Sequence, residues 1–371
     1  MKAFSCERCE ARVFFENTSC EACKAQLGFI PAELTIGSFE VAGNGHLVRL
    51  NSTPARRLRR CANHDSGIGC NWMVAADSAE PLCASCRTTR ARPGLGKAEN
   101  RVHVRRIEMA KRQLAYSLAS WRLPFPSKKE DPKHGVAFDF LEQTDPAKRV
   151  MTGHNDGVIT LNVAEADDAR REHIRMQMHE PYRTLLGHLR HEIGHYYWDR
   201  LIRGTSWLDD YRSLFGDERA DYEKSLERHY ASPMVNWQQR FVSAYASSHP
   251  WEDWAECWAH YMHLQDGLET AASWGLQLDF AVPKGAPVRA AVPADETDLQ
   301  TRIVRHWLPI SQFINAMSRS LGGRDSYPFV VPPAVLDKLA FIHEVIVAGV
   351  RGDMPMNFSP STAATAAGKA A

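Results

Sequence analysis

The sequence predicts an α+β chain, an N-terminal zinc-ribbon β module followed by a mainly helical domain. Three observations carry this. Eight of the nine cysteines lie in the first 86 residues, within short Gly-punctuated runs that read as β-ribbons and turns. Beyond residue 100 the apolar residues recur mostly at helical spacing. Two short apolar runs, Val136–Leu141 and Gly157–Asn162, read as strands between these regimes. A chain of 371 residues with 44% hydrophobic content has room for two or three domains and a sizeable core. The boundaries expected are 1–95 for the ribbon, 96–353 for the helical domain and 354–371 for a disordered Ala/Ser/Thr/Pro-rich tail.

The ribbon is read from its cysteines. Cys6, Cys9, Cys20 and Cys23 form a CxxC-x10-CxxC set, and Cys61, Cys70, Cys83 and Cys86 form a looser second set. A tight knuckle between two cysteines aims both sulfurs at one ion, and two knuckles complete a tetrahedron. Serial CxxC units without a surrounding βαβ pattern point to metal rather than redox chemistry. Four thiolates leave no position for substrate, so two structural zinc ions are expected. The spacing leaves open an interleaved pairing and a place for His64 in the second set. Strands are expected at Phe39–Val41 and Leu47–Leu50.

Helices are expected over Val102–Trp121, up to about Arg203, and near 217–230, 251–270, 297–320 and 333–348, with a Pro/Ala-rich loop at Ala281–Glu296. No run of 18 apolar residues occurs, so no membrane span is expected. The N-terminus lacks the apolar stretch of a secretory signal, so a cytoplasmic location is expected. The net charge of +1 conceals an asymmetry. Residues 1–112 carry 18 Lys and Arg against 11 Asp and Glu, +7, and the remainder carries 27 against 33, −6. Arg56, Arg57, Arg59 and Arg60 precede the second cysteine set, and Arg87, Arg90, Arg92, Lys97, Arg101, Arg105 and Arg106 follow it. These cations could meet nucleic acid or an acidic partner, or simply form a solvated face.

The helical domain carries His191-Glu192-Ile193-Gly194-His195, an HExxH motif. On a helix, positions i and i+4 share a face, so both imidazoles can reach one zinc while Glu192 reaches the water as general base. Leu185, Leu186, Leu189, Ile193, Tyr197 and Leu201 form the apolar stripe that buries such a helix. Trp198 and Leu201 stand where a metzincin would have Gly and His, which excludes that class. The third ligand is then sought on a second helix. Pro250-Trp251-Glu252-Asp253-Trp254-Ala255-Glu256 starts with the first-turn residues a helix favours, and Glu252 and Glu256 again share a face. Glu252 is assigned as zinc ligand and Glu256 as support for a ligating histidine, the reverse remaining open. Tyr245 is the first candidate for the oxyanion donor and His249 the second. The strand over Gly157–Asn162 could hold a peptide by edge pairing. Cys257 is read as a bystander.

The Cys series, Pro181–Thr184, Gly187–Trp198, Phe215–Arg219, Val242–Ala246, His249–Glu256 and Tyr327–Phe329 together resemble the bacterial zinc-binding metallopeptidases that carry an N-terminal zinc-ribbon domain. The resemblance runs from Phe4 to Val347 and implies a zincin-like metallopeptidase domain, with peptide or protein as substrate. The Tyr-x6-Glu-x3-Glu spacing of Tyr245, Glu252 and Glu256 is also similar to the anthrax lethal factor type of gluzincin. That similarity implies oxyanion, zinc-ligand and supporting roles for the three in turn. The reading is a zinc-dependent peptidase with one catalytic and two structural Zn2+ and Glu192 as general base. The alternatives are a nucleic-acid-associated protease recruited by the basic ribbon and a non-catalytic zinc-binding adaptor.

Overall fold

The structure, a computed structural model, describes residues 2–42, 47–51, 57–145, 147, 149–178, 180–278, 288–289 and 298–359. Arg56, His179, most of the Ala281–Glu296 loop and the tail from residue 360 lie outside the described residues. The chain forms two compact units, one reaching to Arg171 and joined by Ser359, the other spanning Glu172–Phe358.

In the first unit, β1 (Phe4–Ser5) and β2 (Arg12–Val13) form an antiparallel hairpin. The strands β3 (Gln26–Ile30), β4 (Thr35–Val41), β5 (Leu47–Arg49), β6 (Arg57–Arg60) and β7 (Met73–Ala75) follow as an antiparallel meander. Both strands expected between the cysteine sets are present, as β4 and β5. A second sheet has the order β10-β11-β9-β8, formed by β8 (Thr89–Ala91), β9 (Ala137–Leu141), β10 (Gly153–Asn155) and β11 (Val158–Asn162). Here one expectation fails. β11 pairs with β10 on one side and β9 on the other, so it has no free edge for a peptide. The cause is local. Asp156 and Gly157 both take positive φ, 45° and 74°, the tight turn that folds β10 back along that edge.

Helix α1 (Ala98–Ser120) completes the first unit. Its Ala115 and Tyr116 join Phe15, Phe29 and Trp72 in the ribbon's core. A module of ribbon size buries little apolar surface alone. The helix supplies the missing wall, and the first unit therefore extends beyond residue 95.

Helix α2 (Asp168–Gln177) leads into the second unit. The helical run expected up to about Arg203 is in fact interrupted. Pro181 lacks the N–H a helix interior needs, and the chain restarts as α3 (Leu185–Leu201) with Thr184 as cap. The Thr184 hydroxyl accepts from the Gly187 N–H at 2.9 Å. There follow α4 (Leu208–Phe215), α5 (Tyr222–Ala231) and α6 (Pro250–Ser273). A short strand pair, β12 (Gln277–Leu278) and β13 (Val288–Arg289), precedes α7 (Leu299–Arg302), a wide turn, α8 (Leu308–Ser320) and α9 (Pro333–Arg351). No described helix is long and apolar enough to cross a membrane.

The crossing of α3 and α6 is the centre of the second unit. Leu189, Ile193, Tyr197 and Leu201, the inner part of the expected stripe, are buried there. Tyr197 stacks on Trp258 with centroids 4.9 Å apart, and the Trp254 indole N–H donates to the Gly194 carbonyl at 2.9 Å. Gly194 permits this approach. A Cβ there would lie 3.0 Å from the Trp258 Cβ and 3.1 Å from the Ala255 Cα. Behind α6, Lys338 of α9 donates to the Asp253 carboxylate at 2.6 Å, both groups buried.

The tail expected from Met354 is anchored as far as Ser359. The Asn357 N–H donates to the Arg200 carbonyl at 2.8 Å, Phe358 is buried, and the Ser359 hydroxyl donates to Asp131 at 2.7 Å.

Candidate metal centre

The eight ribbon cysteines fall into two groups of four, Cys6/Cys9/Cys20/Cys23 and Cys61/Cys70/Cys83/Cys86, and none forms a disulfide. The interleaved pairing is thereby ruled out. In the first group each CxxC closes a knuckle, the Glu10 N–H donating to the Cys6 carbonyl and the Lys24 N–H to the Cys20 carbonyl at 2.8 and 2.9 Å. Cys6 and Cys23, Cys9 and Cys20, and Cys70 and Cys83 have sulfurs 3.6, 3.6 and 3.7 Å apart. Sulfurs bound about 2.3 Å from one tetrahedral zinc lie about 3.8 Å from each other, so both groups fit that ion. Burial opposes ionisation of Cys6, but hydrogen bonds from Ser38 and from the Arg8 and Cys9 backbone bring its thiol down to about 6. His64 is not in the second group. Its Nδ1 faces the Cys70 carbonyl at 2.9 Å and its Nε2 faces Arg60.

Most of the ribbon's cations are committed internally. Arg59 donates to the Ser78 and Glu80 carbonyls, Arg60 to Gln26, and Arg101 to the Leu95 and Gly96 carbonyls. Arg87, Arg90, Lys97 and Arg106 pair with Glu130, Asp139, Glu142 and Asp168. These contacts are those of a solvated face flanking the metal sites, in which exposed ion pairs contribute little.

In the second unit α3 carries His191 and His195 one turn apart, and the first turn of α6 carries Glu252 against them. One ligand atom from each of the three lies within 4.8 Å of the others. Glu252 Oε2 is 2.9 Å from His191 Nε2 and 3.5 Å from His195 Nε2. Donors held about 2.0–2.1 Å from one tetrahedral zinc lie about 3.3 Å apart, and the two distances bracket that value. His191 Nδ1 donates to Glu256 Oε1 at 2.8 Å, and Glu256 Oε2 accepts from the Ser243 hydroxyl at 2.5 Å. Burial alone would push the His191 imidazole down, but the Glu252 and Glu256 carboxylates on its two nitrogens hold it well above the usual histidine range. Burial works against the charge on Glu252, yet His195 and His191 keep its carboxyl well below the usual carboxylate range.

Glu192 is also buried, and there burial wins. Its carboxyl is raised, the opposing pull of His191 and His195 being smaller. Tyr245 lies in a short 3-10 turn with its ring 5.9 Å from that of His191. Its phenol is pushed far up by burial and by the Glu252 charge. His249 is a cap rather than a donor facing the site. Its Nδ1 accepts from the Trp251 N–H at 3.0 Å, and its Nε2 donates to the Ala220 carbonyl at 3.1 Å. Both nitrogens are used, which removes it as the second oxyanion candidate. Cys257 is fully buried, its thiol directed at Asp253.

Three further neighbours have no role assigned from the sequence. Trp251 covers the His195 ring at a centroid distance of 3.9 Å. Ser243 holds Glu256, as above. The Tyr222 hydroxyl donates to Glu252 Oε1 at 2.7 Å. Trp251 and Ser243 lie inside the His249–Glu256 and Val242–Ala246 stretches without a role attached to them, and no sequence signal leads to Tyr222.

Residues 100–345 match the family described as "Putative zinc-binding metallo-peptidase", and residues 3–97 match a zinc-ribbon domain. Proteins of Mycobacterium bovis and Mycobacterium tuberculosis, named only as uncharacterized proteins, are 43% identical over 350 residues, 93% of this chain and 95% of theirs. No solved structure matches the chain.

Proposed function

The chain belongs to the zinc-binding metallopeptidase family with an N-terminal zinc ribbon, and from that premise we propose that it hydrolyses peptide bonds at the site between α3 and α6. His191, His195 and Glu252 would hold the catalytic zinc, and the two cysteine groups would hold structural zinc. The observation that carries the reading is the convergence of these three ligands with Glu256 on the free nitrogen of His191. Bound there, zinc would supply Lewis acidity and lower the pKa of water toward about 7.

The protein's own groups do the rest. Glu256 takes the Nδ1–H of His191, so the Nε2 lone pair turns to the site. Trp251 fixes the second ring and shields it from water. Glu192, its carboxyl raised by burial, takes a proton from the attacking water and passes it to the leaving amine. Tyr245 donates to the carbonyl oxygen as that atom gains charge. A full ligand set with its supporting carboxylate favours an enzyme over an adaptor. Two groups of four thiols without a disulfide suit a reducing compartment, which supports a cytoplasmic location. The test is Glu192→Gln. That variant should keep its zinc and lose peptide cleavage; cleavage at the parent rate would refute the mechanism.

A further inference from the structure

We propose that Tyr222 is the positioning residue for Glu252, turning one carboxylate oxygen to the metal, and that Tyr245 is thereby the tyrosine left to serve substrate. The proposal rests on the peptidase reading for its second half only. The two oxygens of Glu252 have different surroundings. Oε2 faces both ring nitrogens, His191 Nε2 and His195 Nε2, at 2.9 and 3.5 Å. Oε1 faces away from them and takes the Tyr222 hydroxyl at 2.7 Å.

A carboxylate with only one oxygen restrained can rotate, or can bind a metal through both oxygens. The second mode would fill the position that a catalytic zinc keeps for water. The Tyr222 hydrogen bond opposes both outcomes. It also satisfies an oxygen on a side chain that is only 1% exposed, where an unpaired acceptor is costly.

Tyr222 is itself well held. It is the first residue of α5, whose cap Asp221 accepts from the Lys224 N–H at 3.1 Å. Its ring meets His249 edge-on at 5.3 Å and Trp251 at 6.1 Å. Trp251 in turn covers His195. The residue that orients the carboxylate is therefore packed against the residue that orients a ligating histidine.

The proton count divides the two tyrosines. A phenol has a single proton to donate. That of Tyr222 is given to Glu252 and is not available to a substrate oxygen. Tyr245, its ring 5.9 Å from that of His191, is the second phenol beside the ligands, and a bond from it to a developing oxyanion would be charge-assisted.

The test uses the full-length protein with its cysteine sites zinc-loaded and cobalt(II) as the probe at the three-ligand site. Tyr222→Phe should weaken cobalt binding by about 10- to 100-fold, the cost typical of losing a partner to a metal ligand. It should also alter the visible d–d absorption, and the melting temperature before cobalt is added should fall by only the few degrees that one unpaired buried oxygen costs. In a Glu252→Ala background the same substitution should change nothing further. Tyr245→Phe should bind cobalt like the parent, with kcat reduced and KM unchanged. Parent affinity and spectrum in Tyr222→Phe would overturn the assignment, as would an equal loss in the Glu252→Ala background. A weakening in Tyr245→Phe equal to that in Tyr222→Phe would overturn the division of roles. A parent protein that binds cobalt at this site but cleaves no peptide would refute the peptidase reading and leave the cobalt result for Tyr222 standing.

Discussion

Glu256 and His191 meet across the α3–α6 crossing at 2.8 Å, carboxylate Oε1 to ring Nδ1. Because the proton stays on that nitrogen, the other nitrogen of His191 would be free to offer its lone pair to a metal held beside Glu252. Glu252 and Glu256 are one helical turn apart, so a single helix supplies both a partner for Nε2 and a partner for Nδ1.

Glu256→Gln preserves the size of the side chain and removes its charge. It should lower zinc affinity at this site by about 10- to 100-fold, with a matching fall in activity at limiting zinc. Competition with a zinc chelator of known affinity measures this. An unchanged affinity would mean that Glu256 does not set the state of His191.

Gly194→Ala tests how closely the helices must cross. The added methyl would press on the Trp258 Cβ and the Ala255 backbone. Overpacking of this kind costs about 1–3 kcal/mol, and here it also moves Glu252 away from the histidines. The variant should melt lower and bind zinc more weakly. A lower melting point with parent zinc affinity would show that the site tolerates a wider crossing.

Lys338→Met removes the partner of a fully buried carboxylate. Burial raises the Asp253 carboxyl to about 6 even with Lys338 beside it, so the folded state holds a proton there that the unfolded chain has released. That proton-linked stability is present below the unfolded value of 3.8 and is lost as pH rises through about 6. Without Lys338 the folded carboxyl should rise further. Breaking a buried pair costs about 3–5 kcal/mol when the remaining charge is uncompensated, and protonation relieves it. Urea unfolding should therefore find the variant close to the parent below pH about 5 and progressively weaker toward pH about 8. A deficit independent of pH would contradict this.

Much of the site is legible in the sequence because its chemistry depends on spacing along single helices. His191 and His195, and Glu252 and Glu256, are each i and i+4, and Cys6/Cys9 and Cys20/Cys23 each lie on one knuckle. The grouping of Cys61 with Cys70, Cys83 and Cys86 is legible from their order along the chain, but the uneven gaps leave an interleaved pairing open until the meander joins the four. Tyr222 is hidden, and Ser243 gives no sign of its role, since each reaches its glutamate from another segment of chain. His249 looks like a donor beside Glu252, but the helix start uses its ring as a cap. The edge-strand reading of Gly157–Asn162 fails because the Asp156–Gly157 turn adds β10 at that edge.

His191, His195 and Glu252 should bind one catalytic zinc in addition to the two cysteine-bound ions. Zinc counting on the parent and on Glu252→Ala decides this. Three zinc ions are expected per parent chain and two in the variant, both ribbon sites remaining filled. Two ions in the parent, or three retained in Glu252→Ala, would refute it.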